Sequence, residues 1–279
     1  VSGTIIAALD WRWLFIIEGL LSLVVLVVWW FMISDRPQEA HWLPARERDY
    51  LVTTLAAERA AKQAEAPVSK APVKDVFGNA GLMKLVILNF FYQTGDYGYT
   101  LWLPTILKGL TGGNMASVGF LAVLPFVATL AGIYVISLFS DHSGKRRLWV
   151  RFSLYSFAAA LVASVVLRDH MVAAYIALVI CGFFLKSATS PFWSMPGRIA
   201  SPEVAGSARG VINGLGNLGG FCGPYLVGVM MYLYGQNVAV CALAGSLIIA
   251  GTMTFLLPKQ CDLVDSDSDV AIKNQPRNA

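Results

Sequence analysis

The sequence predicts an all-α integral membrane protein, and three observations carry that prediction. The chain is 56% hydrophobic and only 14% charged, where soluble domains carry about 25% charged residues. Its apolar residues gather into runs of about 20, the length that crosses a bilayer as a helix. Lysine and arginine alternate between the loops separating those runs, as the positive-inside rule requires.

The runs follow in order. Val1 to Leu9 reads as the tail of a helix already crossing, since the chain opens inside an apolar stretch with no methionine. Trp13 to Ile33 is the first full span. A polar stretch occupies 34–83. Six more spans follow at 85–107, 117–139, 148–167, 171–195, 206–234 and 238–257. The 34–83 stretch holds seven Lys and Arg, 108–116 holds Lys108 alone, and 140–147 holds three. The turn 168–170 has Arg168, 196–205 has Arg198, 235–237 has none, and 258–279 has three. This puts 34–83 and the C-terminus in the cytoplasm of a cell (inner or plasma) membrane protein. Within 34–83, the helix-forming composition of 44–66 predicts a surface helix with a solvated charged face. Residues 67–75 read as a linker.

One helix, a long loop and six helices is the pattern of the second half of a twelve-helix transporter, whose halves are inverted three-plus-three repeats. The domain expectation is therefore 1–33 as the end of one half, 34–83 as a cytoplasmic central loop, 84–257 as a six-helix bundle, and 258–279 as a cytoplasmic tail.

The loop Ser137 to Arg146 (SLFSDHSGKR) carries Asp141, Gly144, Lys145 and Arg146 at the spacing of G-x-x-x-D-R-x-G-R-R. It thereby resembles the loop of the major facilitator superfamily, with Ser137 and His142 as departures. Asp141 is expected to end its helix and to cap a neighbouring helix N-terminus. Further motifs resemble the anion:cation symporter family within that superfamily. They are Trp11 to Gly19 (WRWLFIIEG) with Asp35–Pro37 and Ala40–Leu43, Trp102–Thr105, Phe192–Pro196, and Asn213–Pro224. The resemblance implies the end of helix 5, helix 6 and the six-helix C-terminal half of a twelve-helix fold, with the N-terminal half missing. It also implies alternating access and organic-anion cargo: sugar acids, hydroxy-dicarboxylates, aromatic acids. Protons are the expected coupling ion. By the same comparison Glu18 is structural.

Candidate site residues lie on three spans. Asn89, Gln93, Asp96 and Thr100 are spaced four, three and four apart, which is one helix face, flanked by Tyr92 and Tyr99. A polar face is costly in lipid, so it meets either the cavity, with Asn89, Tyr92 and Gln93 as substrate candidates, or another helix. Lys186, Ser190 and Trp193 form a second face if the helix continues past Pro191 and Pro196, either of which bends or breaks it. Lys186 either draws a carboxylate substrate, snorkels, or pairs with Asp96, and Asp96 either titrates, pairs with Lys186, or faces water near the external mouth. Trp193 is either a flat wall for cargo or an interfacial anchor. On the third span Asn213 is a substrate candidate and Asn217 is structural. The resemblance places substrate contacts at Asn89, Ser190, Trp193 and Asn213. Gly206, Gly210, Gly214, Gly216 and Gly220 are expected to let helices approach closely.

Other classes fit poorly. Gly214 to Gly219 satisfies G-x-G-x-x-G, but no strand precedes it and no acidic residue follows at the required distance, so no dinucleotide site is read. His41, His142 and His170 lack metal-ligand spacing, no nucleophile–base pair is visible, and no cofactor is called for. Cys181, Cys222, Cys241 and Cys261 form no C-x-x-C pair. No nucleic-acid signature appears. The expected partners are a small organic anion, protons, the lipid bilayer and the missing N-terminal half. The alternatives are an organophosphate or sugar transporter, of which phosphate cargo should bring paired arginines that are not visible within these spans, or a non-transporting membrane receptor.

Overall fold

A computed structural model describes residues 11–34, 36–40, 42–65, 73–112, 115–200 and 204–262. The expected helix tail at 1–9, most of the 67–75 linker, and the tail beyond 262 lie outside them. The described residues are helical throughout, with no strand among them. They fall into two compact units, 1–70 and 71–279.

In the first unit, α1 (Trp11–Met32) is 22 residues long and apolar on every side. Such a helix has no core to face and suits a membrane span. Its side chains are exposed almost throughout, from Phe15 to Ile33. A 3-10 turn at Pro37–Glu39 follows, then α2 (Ala45–Glu65), the expected surface helix.

The second unit holds α3 (Val73–Gly78), α4 (Ala80–Thr111), α5 (Met115–Ser143), α6 (Arg146–Val166), α7 (Met171–Leu185), α8 (Thr189–Trp193), α9 (Pro196–Ile199), α10 (Ala205–Tyr234) and α11 (Gln236–Met253). Helix α4 starts five residues before its expected span because Asn79 caps it. The Asn79 carboxamide oxygen accepts from the Gly81 and Leu82 amides at 2.9 and 3.2 Å. Gly112, at φ +61°, ends it in the left-handed conformation that glycine adopts without penalty.

Five described helices are long and apolar enough to cross a membrane: α1, α5, α6, the α7–α9 run and the α11 run. Helices α4 and α10 are the longest, at 32 and 30 residues, but are less apolar than these five. They carry the polar stripe. Each reaches about 45 Å at 1.5 Å per residue, more than a bilayer core of about 30 Å.

Packing within the unit is close. Helices α4 and α10 form its most extensive pairing, with α11 laid across α4 and α6. A Cβ on Gly219 or Gly223 would collide with the carbonyls of Phe90 and Thr94 on α4. Helices α5 and α7 approach through a reciprocal pair: Gly132 lies against the Phe183 carbonyl and Gly182 against that of Pro125. Thr129 fixes that crossing by donating to the Gly182 carbonyl at 2.9 Å. The core among α4, α6, α7 and α11 holds Leu85, Leu88, Leu103, Leu154, Leu161, Leu178, Leu243 and Leu247, all essentially buried. Tyr99 stacks edge-on against Phe157 and donates to the Leu178 carbonyl at 2.8 Å.

Two expectations change here, and one left open is decided. Gly206, Gly210 and Gly214 face open space rather than a packed neighbour among the described residues, while Gly216 and Gly220 do pack, against Asn89 and Tyr97. Asp141 caps nothing, because α5 runs on to Ser143 and α6 has no side-chain cap at Lys145. The Ser143 hydroxyl instead accepts from the Trp149 indole at 2.7 Å. Finally, the run 171–195 is not one helix. It stops at Leu185 and restarts at Thr189.

Candidate functional site

The stop at Leu185 builds the site. Pro191 has no N–H to give to the residue four before it, and its ring crowds that carbonyl, so an α-helix cannot pass through 187–191 intact. The Thr189 amide turns to the Lys186 carbonyl at 3.0 Å, and the Phe192 amide bonds Ala188 at 3.0 Å. The Leu185 carbonyl loses its intrahelical donor. Tyr92 on α4 replaces it, donating its hydroxyl at 2.8 Å while lying 3.1 Å from the Thr189 hydroxyl.

Tyr92 is therefore occupied, and it is 3% exposed. Asn89, 2% exposed, donates to the Ile212 carbonyl on α10 at 3.1 Å. Both were expected against substrate. Their burial makes them helix–helix brackets instead, since an amide or hydroxyl in an apolar interior must find a partner.

The other expected residues reach the open side. Gln93 donates to the Asn217 carboxamide oxygen at 2.9 Å. The Asn217 amide nitrogen donates on to Asn213, to its carbonyl at 2.8 Å and its side-chain oxygen at 2.7 Å. This ladder joins α4 to α10 and ends at Asn213, which is exposed. Asn217, expected to be only structural, is its middle rung. Its spacing of four from Asn213 was the available signal. Ser190 is exposed and Trp193 half-buried, the latter set edge-on to Phe192 at 5.3 Å between ring centroids. No hydrogen bond ties Ser190 or Trp193 to the ladder among the described residues.

At the break itself, the Lys186 ammonium lies 2.6 Å from one carboxylate oxygen of Asp96. The pair joins α4 to the end of α7. It is lopsided: the Asp96 side chain is 2% exposed and that of Lys186 39%. The second Asp96 oxygen is buried with no hydrogen-bond partner among the described residues. Lys186 also stands over the Tyr97 ring at 5.6 Å, a cation–π distance. Tyr97 carried no sequence signal beyond its place beside Asp96.

The motif between α5 and α6 is separate from this site. Gly144 takes φ +67°, which explains a glycine there. Arg146 lies 4.0 Å from Asp141 and 3.5 Å from the Ser194 carbonyl. With Asp141 70% exposed, that pair is a weak surface contact. Lys145 is exposed. The firmer clamp is one residue on: Arg147 meets Asp262 with its guanidinium at 2.7 Å and its backbone amide at 2.9 Å, and the Leu257 carbonyl at 2.9 Å.

The second unit is thus a helical bundle whose polar residues gather at a broken, membrane-length helix. The chain belongs to the Major Facilitator Superfamily, which it matches over residues 1–224 and 112–264. It is 30% identical, over 250 residues, to a protein of Agrobacterium vitis named for tartrate transport, covering 89% of this chain and 54% of that one. It is 28% identical over 233 residues to the quinolone resistance transporter of Acinetobacter baumannii, covering 82% and 52%. It is 24% identical over 262 residues to the D-galactonate transporter of Escherichia coli O6:H1 (strain CFT073), covering 89% and 59%. The chain thus spans about half the length of the curated relatives it matches.

Proposed function

We propose that the full-length protein is a proton-coupled secondary transporter of organic anions, of the anion:cation symporter type, working by alternating access. Its cargo class is sugar acids, hydroxy-dicarboxylates or aromatic acids. Its membrane is the cell (inner or plasma) membrane, with 34–83 and the C-terminus cytoplasmic. The substrate wall in this chain is Gln93, Lys186, Ser190, Trp193 and Asn213, with Asn217 holding Gln93 and Asn213 in place.

The observation that carries the reading is Lys186: a partly exposed ammonium at the break of a membrane helix. Asp96 offsets that charge at 2.6 Å, yet the lysine side chain stays 39% exposed, so an anion arriving from the open side can still meet it. An organic anion supplies the complementary charge, Asn213 and Ser190 offer hydrogen bonds to its hydroxyls, and Trp193 offers a flat wall. The relatives named for tartrate and D-galactonate transport support the class.

The test is uptake by the full-length protein in liposomes under an inward proton gradient, with labelled D-galactonate, tartrate and an aromatic acid. Gradient-dependent uptake that falls at least tenfold in both Trp193→Ala and Asn213→Ala is expected. Uptake unaffected by either substitution would move the site elsewhere, and no uptake of any of the three would remove the anion class. A second reading, export of quinolones, has one observation in its favour, the 28% identical quinolone resistance transporter. Efflux of a fluorescent quinolone from the same liposomes separates the two.

A further inference from the structure

We propose that Asp96 is a proton-binding group of this transporter, and that it takes its proton when a substrate carboxylate displaces it from Lys186. The inference rests on the organic-anion reading of the site and adds where one coupled proton binds.

The argument begins with the asymmetry of the pair. An incoming carboxylate can reach Lys186, whose side chain is 39% exposed, but not Asp96, which is 2% exposed. Lys186 is therefore the member that changes partner. Its flexible stem and point charge suit such an exchange better than a planar guanidinium held in a fork. Once it turns to the substrate, Asp96 stays behind in the bundle with no counter-charge.

Among the described residues, nothing near Asp96 replaces Lys186. One of its oxygens already lacks a hydrogen-bond donor. Tyr92, one turn earlier on α4, gives its hydroxyl to Leu185. Tyr99 gives its own to Leu178. Tyr97 presents its ring face to Lys186. The turns on either side, at Gly95 and Gly98, are filled by Leu247 and Leu243 of α11. Among the described residues Lys186 alone forms an ion pair with Asp96. A buried carboxylate left without a counter-charge neutralises itself by taking a proton.

The charges balance. Before exchange the site holds one carboxylate and one ammonium. After it, the substrate carboxylate faces the ammonium and Asp96 is a neutral acid carrying the added proton. The occupied site has the same net charge as the empty one, so the low-dielectric interior never holds an excess anion. Each exchange brings in one proton with one carboxylate. Raising the proton concentration on the loading side favours the exchanged state, which is the condition for a proton gradient to drive the anion.

The same geometry makes Asp96 a competitor of the substrate. Removing its charge frees Lys186, so anion binding should tighten while coupling is lost. A merely structural role for Asp96 predicts weaker binding, not tighter.

The experiment uses the full-length protein with Asp96→Asn, Lys186→Gln and the charge-neutral double variant, which leaves no lone buried charge to disturb folding. Infrared difference spectra of Lys186→Gln against the double variant should show a protonated carboxylic acid at neutral pH, without any substrate. In liposomes, a gradient of about one pH unit supports up to about tenfold accumulation per coupled proton. Wild type should accumulate labelled D-galactonate under that gradient. Asp96→Asn should exchange D-galactonate across the membrane with a lower KM, by several-fold, yet accumulate none. An ionised Asp96 in Lys186→Gln overturns the inference, as does gradient-driven accumulation that survives in Asp96→Asn. Either result leaves the organic-anion reading standing if wild type still takes up D-galactonate or tartrate. Wild type that takes up neither overturns the cargo reading and the inference with it.

Discussion

The hydroxyl of Tyr92 donates to the carbonyl of Leu185 at 2.8 Å, across a sequence separation of 93 residues. That carbonyl lost its own helical donor when the backbone turned at 186–188 ahead of Pro191. The bond lets α7 end inside the bundle without an orphaned acceptor, so it holds Lys186 where α4 can reach it. Tyr92→Phe should lower stability by about 1 kcal/mol, the net value of one such bond, and shift the detergent-solubilised melting temperature down. Anion affinity should fall only by the amount that Lys186 is displaced. An unchanged melting temperature would mean that water replaces the hydroxyl and that the break holds itself.

Two sets of glycines on α10 should behave oppositely. Gly219 and Gly223 touch the backbone carbonyls of Phe90 and Thr94, which cannot swing aside as a side chain can. Alanine at either position should separate α4 from α10 at a cost of about 1–3 kcal/mol. Gly206, Gly210 and Gly214 have nothing within reach of a Cβ among the described residues. Alanine there gains up to about 1 kcal/mol of helix propensity, so the fold should be unharmed or slightly firmer. Melting of the five single variants in detergent checks both halves of the prediction, and a loss of transport in the second set without loss of stability would show that this face meets a moving partner.

The helices were legible in the sequence because a bilayer fixes their length, but the expected span 85–107 missed the ends of α4, which the Asn79 cap and Gly112 set. The break at Leu185 was legible from Pro191 and Pro196, though not its position, which lies upstream because a proline removes the bond to a carbonyl four residues back. Asn89 and Tyr92 take protein carbonyls as partners, which the sequence could not specify. A polar residue in an apolar run announces that it needs a partner, and sequence cannot tell a substrate from the Ile212 or Leu185 carbonyl. The glycines show the same limit. Spacing of four placed Gly206, Gly210 and Gly214 on one face, but the face that packs on α4 is that of Gly216, Gly219 and Gly223, interleaved on the same helix. The Asp96–Lys186 pair was one of three readings open for Lys186, and only the fold brings α4 to the end of α7.

Gly144 makes a narrower test of the loop motif. At φ +67° an L-residue with a Cβ is strained, by about 1–2 kcal/mol. Gly144→Ala should lose that much stability, and Gly144→Asn, which tolerates the left-handed region better, should lose less. Equal melting temperatures for the two variants would mean that the turn relaxes and that the glycine is there for another reason. Asp141→Asn should change stability little, because its pair with Arg146 is long and exposed.

The last prediction concerns the residues that follow α11. Leu257 and Asp262 are clamped by Arg147, and Cys261 lies buried between them with its thiol pushed up to about 11, chiefly by burial and against the pull of Arg147. An unhindered cysteine titrates near about 8.5, so in the folded protein Cys261 stays a neutral thiol where the unfolded chain would already ionise. The sign follows: this group's contribution to stability is complete below about 8.5 and drains away as pH rises towards the folded value. Alkylation of Cys261 at pH 8 should be slower than that of a free thiol by at least about a hundredfold, since only the thiolate reacts. Asp262→Ala removes two bonds to Arg147 and should cost about 1.5–3 kcal/mol, free the segment, and speed alkylation at pH 8 in proportion. Mass-spectrometric labelling of Cys261 in both proteins across pH 7 to 10 decides it: rapid labelling of the wild type at pH 8 would show that the clamp opens in solution, whereas slow labelling that Asp262→Ala relieves ties the thiol's inertness to the Arg147–Asp262 contact.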